Sequence, residues 1–284
     1  MAKVDSVGRW SVSKLEMLRE YLAAYTSILT TEKNRKWCSG CHYVDAFAGS
    51  VAPIYKDSDD IINGSPLVAL TTEPQFKSFT FIDLDNKRIK ENINPLKNRF
   101  PNKKIETICD DANNAIINNV LSKFGGRSSS YRGFIFLDPY GLELQWNTVD
   151  AIGRNGAYDI LVNFSVMGVV RQLGDNKPLE HMESKISSVF GTDEWKKISY
   201  RENMQCSLFE THEQRMQKKK ENLVDDIVEL YRSQLKTVFK DVSDAIIMRN
   251  SKNGPLYALI LASHASVAVR KMHEIFKRHQ KRKI

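Results

Sequence analysis

Cysteine is scarce in this 284-residue chain, with four residues at positions 38, 41, 109 and 206. At that length they do not make a disulfide scaffold. Glycine (14) and proline (8) are also few, which excludes collagen and low-complexity disorder. The longest apolar runs, Tyr257–Ala262 and Phe134–Leu137, fall far short of the ~18 residues a membrane span needs. The opening segment MAKVDSVGRW has no apolar signal core, so a cytoplasmic location is expected and no membrane partner. Internal repeats and a P-loop are absent as well.

Charge is present and unevenly placed. The formal net charge is +8. The final 17 residues hold seven Lys+Arg against one acid, and the rest is close to neutral. Such a distribution describes a neutral body with one basic end, and it points to a polyanion partner at that end.

Hydrophobic content of 42% is enough for a large core. Ser13-x-x-Glu16 has the form of a capping box, and Leu15, Leu18, Tyr21, Leu22, Tyr25 and Leu29 follow at helical spacing, predicting a helix over 13–31. Strands are expected at His42–Phe47, Ser78–Leu84, Lys104–Cys109, Phe134–Leu137 and Asp159–Phe164. Helical segments alternate with them: one opened by Ser65-Pro66, a charged one to about Arg99, one over 112–124 and one over 146–152. This alternation argues for an α/β fold with a mostly parallel sheet and helices on both faces. Residues 166–241 turn charged and helical. Asp244–Met248 and Leu256–Ala262, split by Asn253-Gly254-Pro255, read as a hairpin before a basic terminal helix.

The first four strands each run into an acid or a glycine turn: Asp45 with Ala48-Gly49-Ser50, then Asp83, then Asp110-Asp111, then Asp138-Pro139-Tyr140-Gly141. Ligands of open parallel sheets bind at these carboxyl ends. An acid after the second strand suits a ribose diol, and one after the third suits an adenine amino group. Taken singly, such acids are ordinary loop and cap residues. As an ordered set they suit an adenosine-bearing ligand with chemistry at the fourth strand. A nicotinamide dinucleotide would need G-x-G-x-x-G to admit its pyrophosphate, and only Gly49 is present. S-adenosylmethionine, which has no phosphate, fits better.

Trp10-Ser11, Lys14-Leu15, Tyr21-Leu22, Tyr43–Gly49, Gly64–Leu67, Phe81–Asp83, Asp111–Asn113 and Phe136–Gly141 together resemble the three-Cys-motif partner proteins. Phe190-Gly191 with Trp195, Pro255–Tyr257 and Ile260–Ser263 extend the resemblance over most of the chain. The family is bacterial or phage-associated. The resemblance implies a Rossmann-like class I methyltransferase fold with a C-terminal antiparallel hairpin and added helices. It implies S-adenosylmethionine as cofactor and a three-Cys-motif protein as partner. Asp45, Phe47 and Gly49 would line the methionine end, Asp83 would hold the ribose, and Asp111 with Ala112 the adenine edge.

By the same resemblance Asp138, Pro139 and Tyr140 stand where nucleic-acid amino-methyltransferases keep an Asp-Pro-Pro-Tyr type motif. There the aspartate and a proline carbonyl hold the target amino group, and the aromatic stacks on a base drawn out of its stack. In this chain Tyr140 follows Pro139 directly and Gly141 takes the aromatic position, which also resembles tRNA guanine-N2 dimethyltransferases. Adenine and guanine both stay open. Val51 stands where relatives usually carry glycine. The organisation expected is a core with an N-terminal helix over 1–165, a helical insertion over 166–241, and a hairpin with a terminal helix over 242–284.

Other patterns carry less. Cys38-x-x-Cys41-His42 has the spacing of half a zinc site or of a haem attachment, but zinc needs two further ligands and no second pair exists, so no metal is expected. The terminal helix gathers Ala265, Ala268, Met272, Ile275, Phe276 and His279 on one side. Arg270, Lys277, Arg278, Lys281 and Arg282 lie largely on the other, as candidates for nucleic-acid phosphate contacts. Lys218-Lys219-Lys220 is offset by neighbouring acids and reads as a helix surface. Trp146 and Trp195 read as packing anchors more than as base-stacking platforms, and no role is assigned to His212 or His264.

Overall fold

A computed structural model describes residues 6–49, 51–55, 61–173, 180–201 and 212–281. Five strands follow the expected alternation: β1 (Gly40–Asp45), β2 (Ser78–Asp83), β3 (Ile105–Cys109), β4 (Tyr131–Leu137) and β5 (Tyr158–Phe164). Three more come late: β6 (Asp241–Val242), β7 (Ile246–Arg249) and β8 (Pro255–Ser263). They form one eight-stranded sheet in the order β3-β2-β1-β4-β5-β8-β6, with β7 also paired to β8. The first five strands are parallel, and β8 runs antiparallel to β5, β6 and β7. The sheet is mostly parallel, closed by an antiparallel C-terminal hairpin, with helices on both faces, which is a Rossmann-like α/β arrangement. Strand order reverses between β1 and β4, which opens the crevice there.

The major helices are α1 (Arg9–Leu29), α2 (Ser65–Leu70), α3 (Trp146–Asn155), α4 (Val166–Gln172), α5 (Glu180–Phe190), α6 (Trp195–Arg201), α7 (His212–Val238) and α8 (Ser266–Lys281). They cover both sheet faces. Leu18 and Tyr21 of α1, Met272 and Phe276 of α8, and Phe134 and Phe136 of β4 share one apolar cluster, with the Tyr21 and Phe134 rings 5.4 Å apart. On the opposite face Val149, Val169, Phe190, Ile227 and Leu235 share a second apolar cluster with Ile135 and Leu137. Both faces of β4 are therefore apolar, which explains its unbroken hydrophobic run. Residues of the 166–241 stretch join this second core, and Tyr231 stacks on Phe164 at 4.2 Å.

Three expectations about local structure change. Helix α1 starts at Arg9, with Gly8 as its N-cap and no side-chain cap, so Ser13 and Glu16 lie inside the helix and form no capping box. Tertiary packing extends it: Trp10 stacks on Tyr257 at 5.0 Å, and Ser11 and Lys14 are buried. The helix expected over 112–124 ends with a wide turn at Ile116–Val120. Within the loop over 51–64, Ile54–Tyr55 pairs in parallel with Ser6–Val7.

Candidate active site

Strand alternation decides which way the acids point. Along β4, Phe134 and Phe136 face α1, so Asp138 two residues later continues on that side. The same period sets Asp45 with Tyr43, Asp83 with Phe81, and Asn163 with Leu161. Asp45 pairs in register with both Phe81 and Phe136. Asp83 and Asp138 therefore lie level with each other, two residues beyond Asp45, or about 6–7 Å further along the strands. Asp45 forms the floor of the crevice and the other two its walls.

Asp45 is fully buried. Burial pushes its carboxyl up to about 7; the nearby Ser65 hydroxyl opposes this, the charge of Asp138 adds to it, and the Tyr43 phenol and the Phe47 amide oppose it. The Tyr43 hydroxyl donates to Oδ2 at 3.2 Å, while Oδ1 has no hydrogen-bond partner among the described residues. A buried acceptor left unmatched costs about 1–3 kcal/mol.

The turn after β1 is tied to both neighbours. Ala46 N–H donates to the Phe136 carbonyl, and Ala48 N–H to the Ile82 carbonyl. Gly49 follows at φ +47°, a conformation that L side chains rarely adopt, and its N–H donates to Asp83 Oδ2 at 2.9 Å. Asp83 Oδ1 accepts from Asp85 N–H at 2.8 Å. Phe47 is half-buried beside the turn. Val51 packs against the apolar core on the α1 face.

Asp111 caps the helical turn that follows it, accepting from Asn113 and Asn114 N–H with Oδ1 alone. Ala112 is buried against the sheet. Asn113, which the sequence reading did not single out, connects the third and fourth strand ends. It donates to the Glu143 carbonyl at 3.0 Å and accepts from Gln145 N–H and the Thr148 hydroxyl. Glu143 also escaped notice. Its carboxyl is raised mainly by desolvation, Lys185 opposes this, and the charges of Asp111 and Asp83 add to it.

At the fourth strand end, Asp138 is held by two groups. Lys14 of α1 forms an ion pair with Oδ2, and Asn163 Nδ2 donates to Oδ1 at 2.7 Å. Lys14 is buried, with its ammonium 5.1 Å from the Trp10 ring centroid and 5.8 Å from that of Phe136. Tyr140 is 61% exposed at the rim, with the Arg88 guanidinium over its ring at 5.9 Å. Gly141 adopts φ +61°, which turns the chain back at once. Below this turn Pro139, Leu142, Leu144, Val162, Phe164 and Tyr231 line a small apolar cavity. The signal that would have found Lys14 was a basic residue on the apolar stripe of a helix; for Asn163 it was an amide inside an apolar strand.

Outside the crevice the patterns resolve as packing. His42 sits between Ser78 Oγ at 2.7 Å and Thr80 Oγ1 at 3.1 Å, and burial beside Lys123 pushes it down to about 3. Cys38 and Cys41 are buried free thiols, and burial pushes Cys41 up to about 12. Among the described residues no cluster of three or more metal-ligating side chains occurs. Trp195 is fully buried and donates to Ser187 Oγ at 3.0 Å; Trp146 is buried against Tyr231. His264 meets the Gly153 carbonyl at 2.8 Å.

The terminal helix buries Ala268, Met272, Ile275, Phe276 and His279 as expected, with Ala265 exposed ahead of it. Arg270, Lys277 and Lys281 are exposed. Arg278 departs from the expected free cation: it pairs with Glu20 of α1 at 2.6 Å, and His279 lies 3.0 Å from the same carboxylate. Arg282, Ser50 and Cys206 lie outside the described residues, as do the side chains of His212 and Lys218-Lys219-Lys220. No helix among the described residues is long and apolar enough to cross a membrane.

No protein-family model matches the chain, and no curated protein matches it. Among solved structures it is similar to magnesium protoporphyrin IX methyltransferase from Synechocystis with bound SAH, at 9% identity over 87% of this chain and 84% of that one, TM-score 0.35. It is similar to TehB from Haemophilus influenzae at 14% identity over 86% and 67%, TM-score 0.33. A possible exported protein from Bordetella parapertussis matches at 12% identity over 87% and 68%, TM-score 0.37.

Proposed function

We propose that this chain is an S-adenosylmethionine-dependent methyltransferase acting on the exocyclic amino group of a base in nucleic acid. The observation that carries the reading is the arrangement of Asp45, Asp83, Asp111 and Asp138 at the carboxyl ends of four adjacent parallel strands, around the point where strand order reverses.

The residues present suit the cofactor. The unmatched Asp45 Oδ1 is a buried acceptor for an ammonium or hydroxyl donor. Asp83, steadied by Gly49, is positioned for a ribose diol, and Asp111 keeps its Oδ2 outside the cap for an adenine amino group. Phe47 and Ala112 would add apolar contact. When bound, the cofactor supplies an electrophilic methyl group. The chain contributes position: Asp138 accepts a hydrogen bond from the target amine and aims its lone pair, Pro139 offers a carbonyl, and Tyr140 offers an exposed ring for stacking. Asp138 would stabilise the positive charge growing on the target nitrogen as that nitrogen takes the methyl group from sulfur, and the nitrogen's proton would leave to solvent. Arg270, Lys277 and Lys281 would meet phosphates.

One observation favours a second reading. Both Asp138 oxygens already have partners within the chain, as a structural carboxylate would. In that case the protein would be a non-catalytic nucleic-acid- or partner-binding subunit of a three-Cys-motif protein system. The three-Cys-motif protein is a proposed partner under either reading, and the buried free thiols suit a cytoplasmic setting. Calorimetric titration with S-adenosylmethionine, on the wild type and Asp83→Ala, tests the enzyme reading. Absence of binding by the wild type, alone and with its partner, would sink it. Labelled methyl transfer to DNA, tRNA and rRNA, with Asp138→Ala as control, then selects the substrate.

A further inference from the structure

Lys14 is an unusual residue for an amphipathic helix face. It occupies the apolar stripe of α1, is 4% exposed, and follows the helical spacing of Leu15, Leu18 and Tyr21 into the core. Burying an ammonium is costly unless it is paired, and removing one partner of such a pair leaves the other stranded. Its partner is Asp138, 124 residues away at the end of β4. The Trp10 and Phe136 rings flank the ammonium and limit where it can sit. Trp10 is in turn stacked on Tyr257 of β8. The helix, the fourth strand and the C-terminal hairpin therefore converge on one carboxylate.

The second hold on Asp138 has a defined polarity. A carboxylate accepts, so the Asn163 amide must present its nitrogen, as it does at 2.7 Å. Asn163 is itself fully buried, and its Oδ1 is left without a partner among the described residues. Each Asp138 oxygen thus has one donor from the chain and one remaining lone-pair direction, while the Asp138 side chain stays 24% exposed.

We propose that Lys14 is a positioning residue for the target amino group: it fixes the rotation of the Asp138 carboxylate, with Asn163 as the opposing stop, so that the remaining lone pairs face the crevice. The proposal rests on the methyltransferase reading. Lys14, 4% exposed and paired with Asp138, acts only through that carboxylate. The N-terminal helix, outside the Rossmann-like sheet, then becomes part of the substrate side of the site.

The test uses the full chain with labelled S-adenosylmethionine and two probes, mixed-sequence single-stranded DNA and RNA oligonucleotides. The variants are Lys14→Met, which keeps the apolar stem, Lys14→Arg, which keeps the charge, and Asp138→Asn, alone and with Lys14→Met. The expected result is a fall in kcat of about 10²-fold for Lys14→Met, the scale of a misplaced catalytic contact. KM and cofactor affinity by calorimetry should change little, Lys14→Arg should recover part of the rate, and Lys14→Met should add nothing in the Asp138→Asn background. Wild-type kcat in a folded Lys14→Met variant overturns the proposal, as does full additivity with Asp138→Asn. With cofactor bound, failure of the wild type to methylate either probe overturns it too. Failure of the wild type to bind cofactor at all instead overturns the methyltransferase reading. If Lys14→Met does not fold, Lys14→Arg and Asn163→Leu carry the same comparison: both must lower kcat in a folded protein that still binds cofactor, and unchanged rates overturn the proposal.

Discussion

The Gly49 backbone N–H donates to Asp83 Oδ2 at 2.9 Å, so the turn after the first strand is fastened to the acid that ends the second. Gly49 can serve this way because it sits at φ +47°. Adding a Cβ there is strained whatever the surrounding space, by roughly 1–2 kcal/mol. Gly49→Ala and Asp83→Ala should each weaken S-adenosylmethionine binding by about tenfold or more, the scale of one lost hydrogen bond to a charged group. Calorimetry checks both; unchanged affinity in either would separate this turn from the cofactor site.

Two acids, the buried Asp45 and the half-buried Asp159, should make stability fall as pH rises. Burial pushes Asp45 and Asp159 up to about 7, with Ser65 the leading opposing partner for Asp45 and Ser263 for Asp159. The native state then keeps protons that the unfolded chain has lost, from about pH 4 to about pH 7. Stability should decline across that window and level off above it, by up to a few kcal/mol for each acid. Asp159 lies at the start of β5, on the Ser263 hydroxyl at 2.6 Å and away from the crevice. Asp159→Asn should therefore flatten the decline and gain stability over the wild type at pH 8 but not at pH 4. Denaturant titrations at the two pH values measure it, and equal differences at both would be the contrary result.

Gly191 closes the space beside Trp146. A Cβ at this position would lie 2.0 Å from Trp146 Cδ1, and the residue adopts φ +67°. Gly191→Ala should cost about 1–3 kcal/mol by overpacking alone. A denaturation midpoint within error of the wild type would show that the indole is not the packed anchor described above.

The terminal basic helix divides into exposed and structural charges. Lys277 and Lys281 are exposed, whereas Arg278 and His279 engage Glu20. Replacing Lys277 and Lys281 by Gln should weaken nucleic-acid binding and reduce the salt slope by up to ~2 on duplex DNA, about 0.9 per lost phosphate contact. Cofactor affinity should be unchanged. Arg278→Ala should instead lower stability more than the salt slope. An unchanged slope in the double lysine variant would remove this helix from the nucleic-acid interface.

Much of the fold was legible along the chain. The five parallel strands announce themselves through short runs, the first four of them closed by acids, and the hairpin through Asn253-Gly254-Pro255. The stripe Ala268, Met272, Ile275, Phe276 and His279 describes the buried side of α8 directly. Reading failed where local pattern and tertiary contact disagreed. Ser13-x-x-Glu16 satisfies the capping rule, yet the helix begins at Arg9 because Trp10 has an aromatic partner on β8. Arg278 reads as a free cation because Glu20 belongs to another helix.

By itself, then, the sequence determined the alternating α/β pattern and the positions of the acids at the strand ends, because periodicity and turn chemistry act over a few residues. Only the tertiary structure decided what those acids touch. The pairing of Lys14 with Asp138, the clamp by Asn163 and the unmatched Asp45 Oδ1 depend on which helix crosses which strand end. Such contacts form between residues far apart in the chain, and their energies come from burial and charge, which no short window of sequence contains.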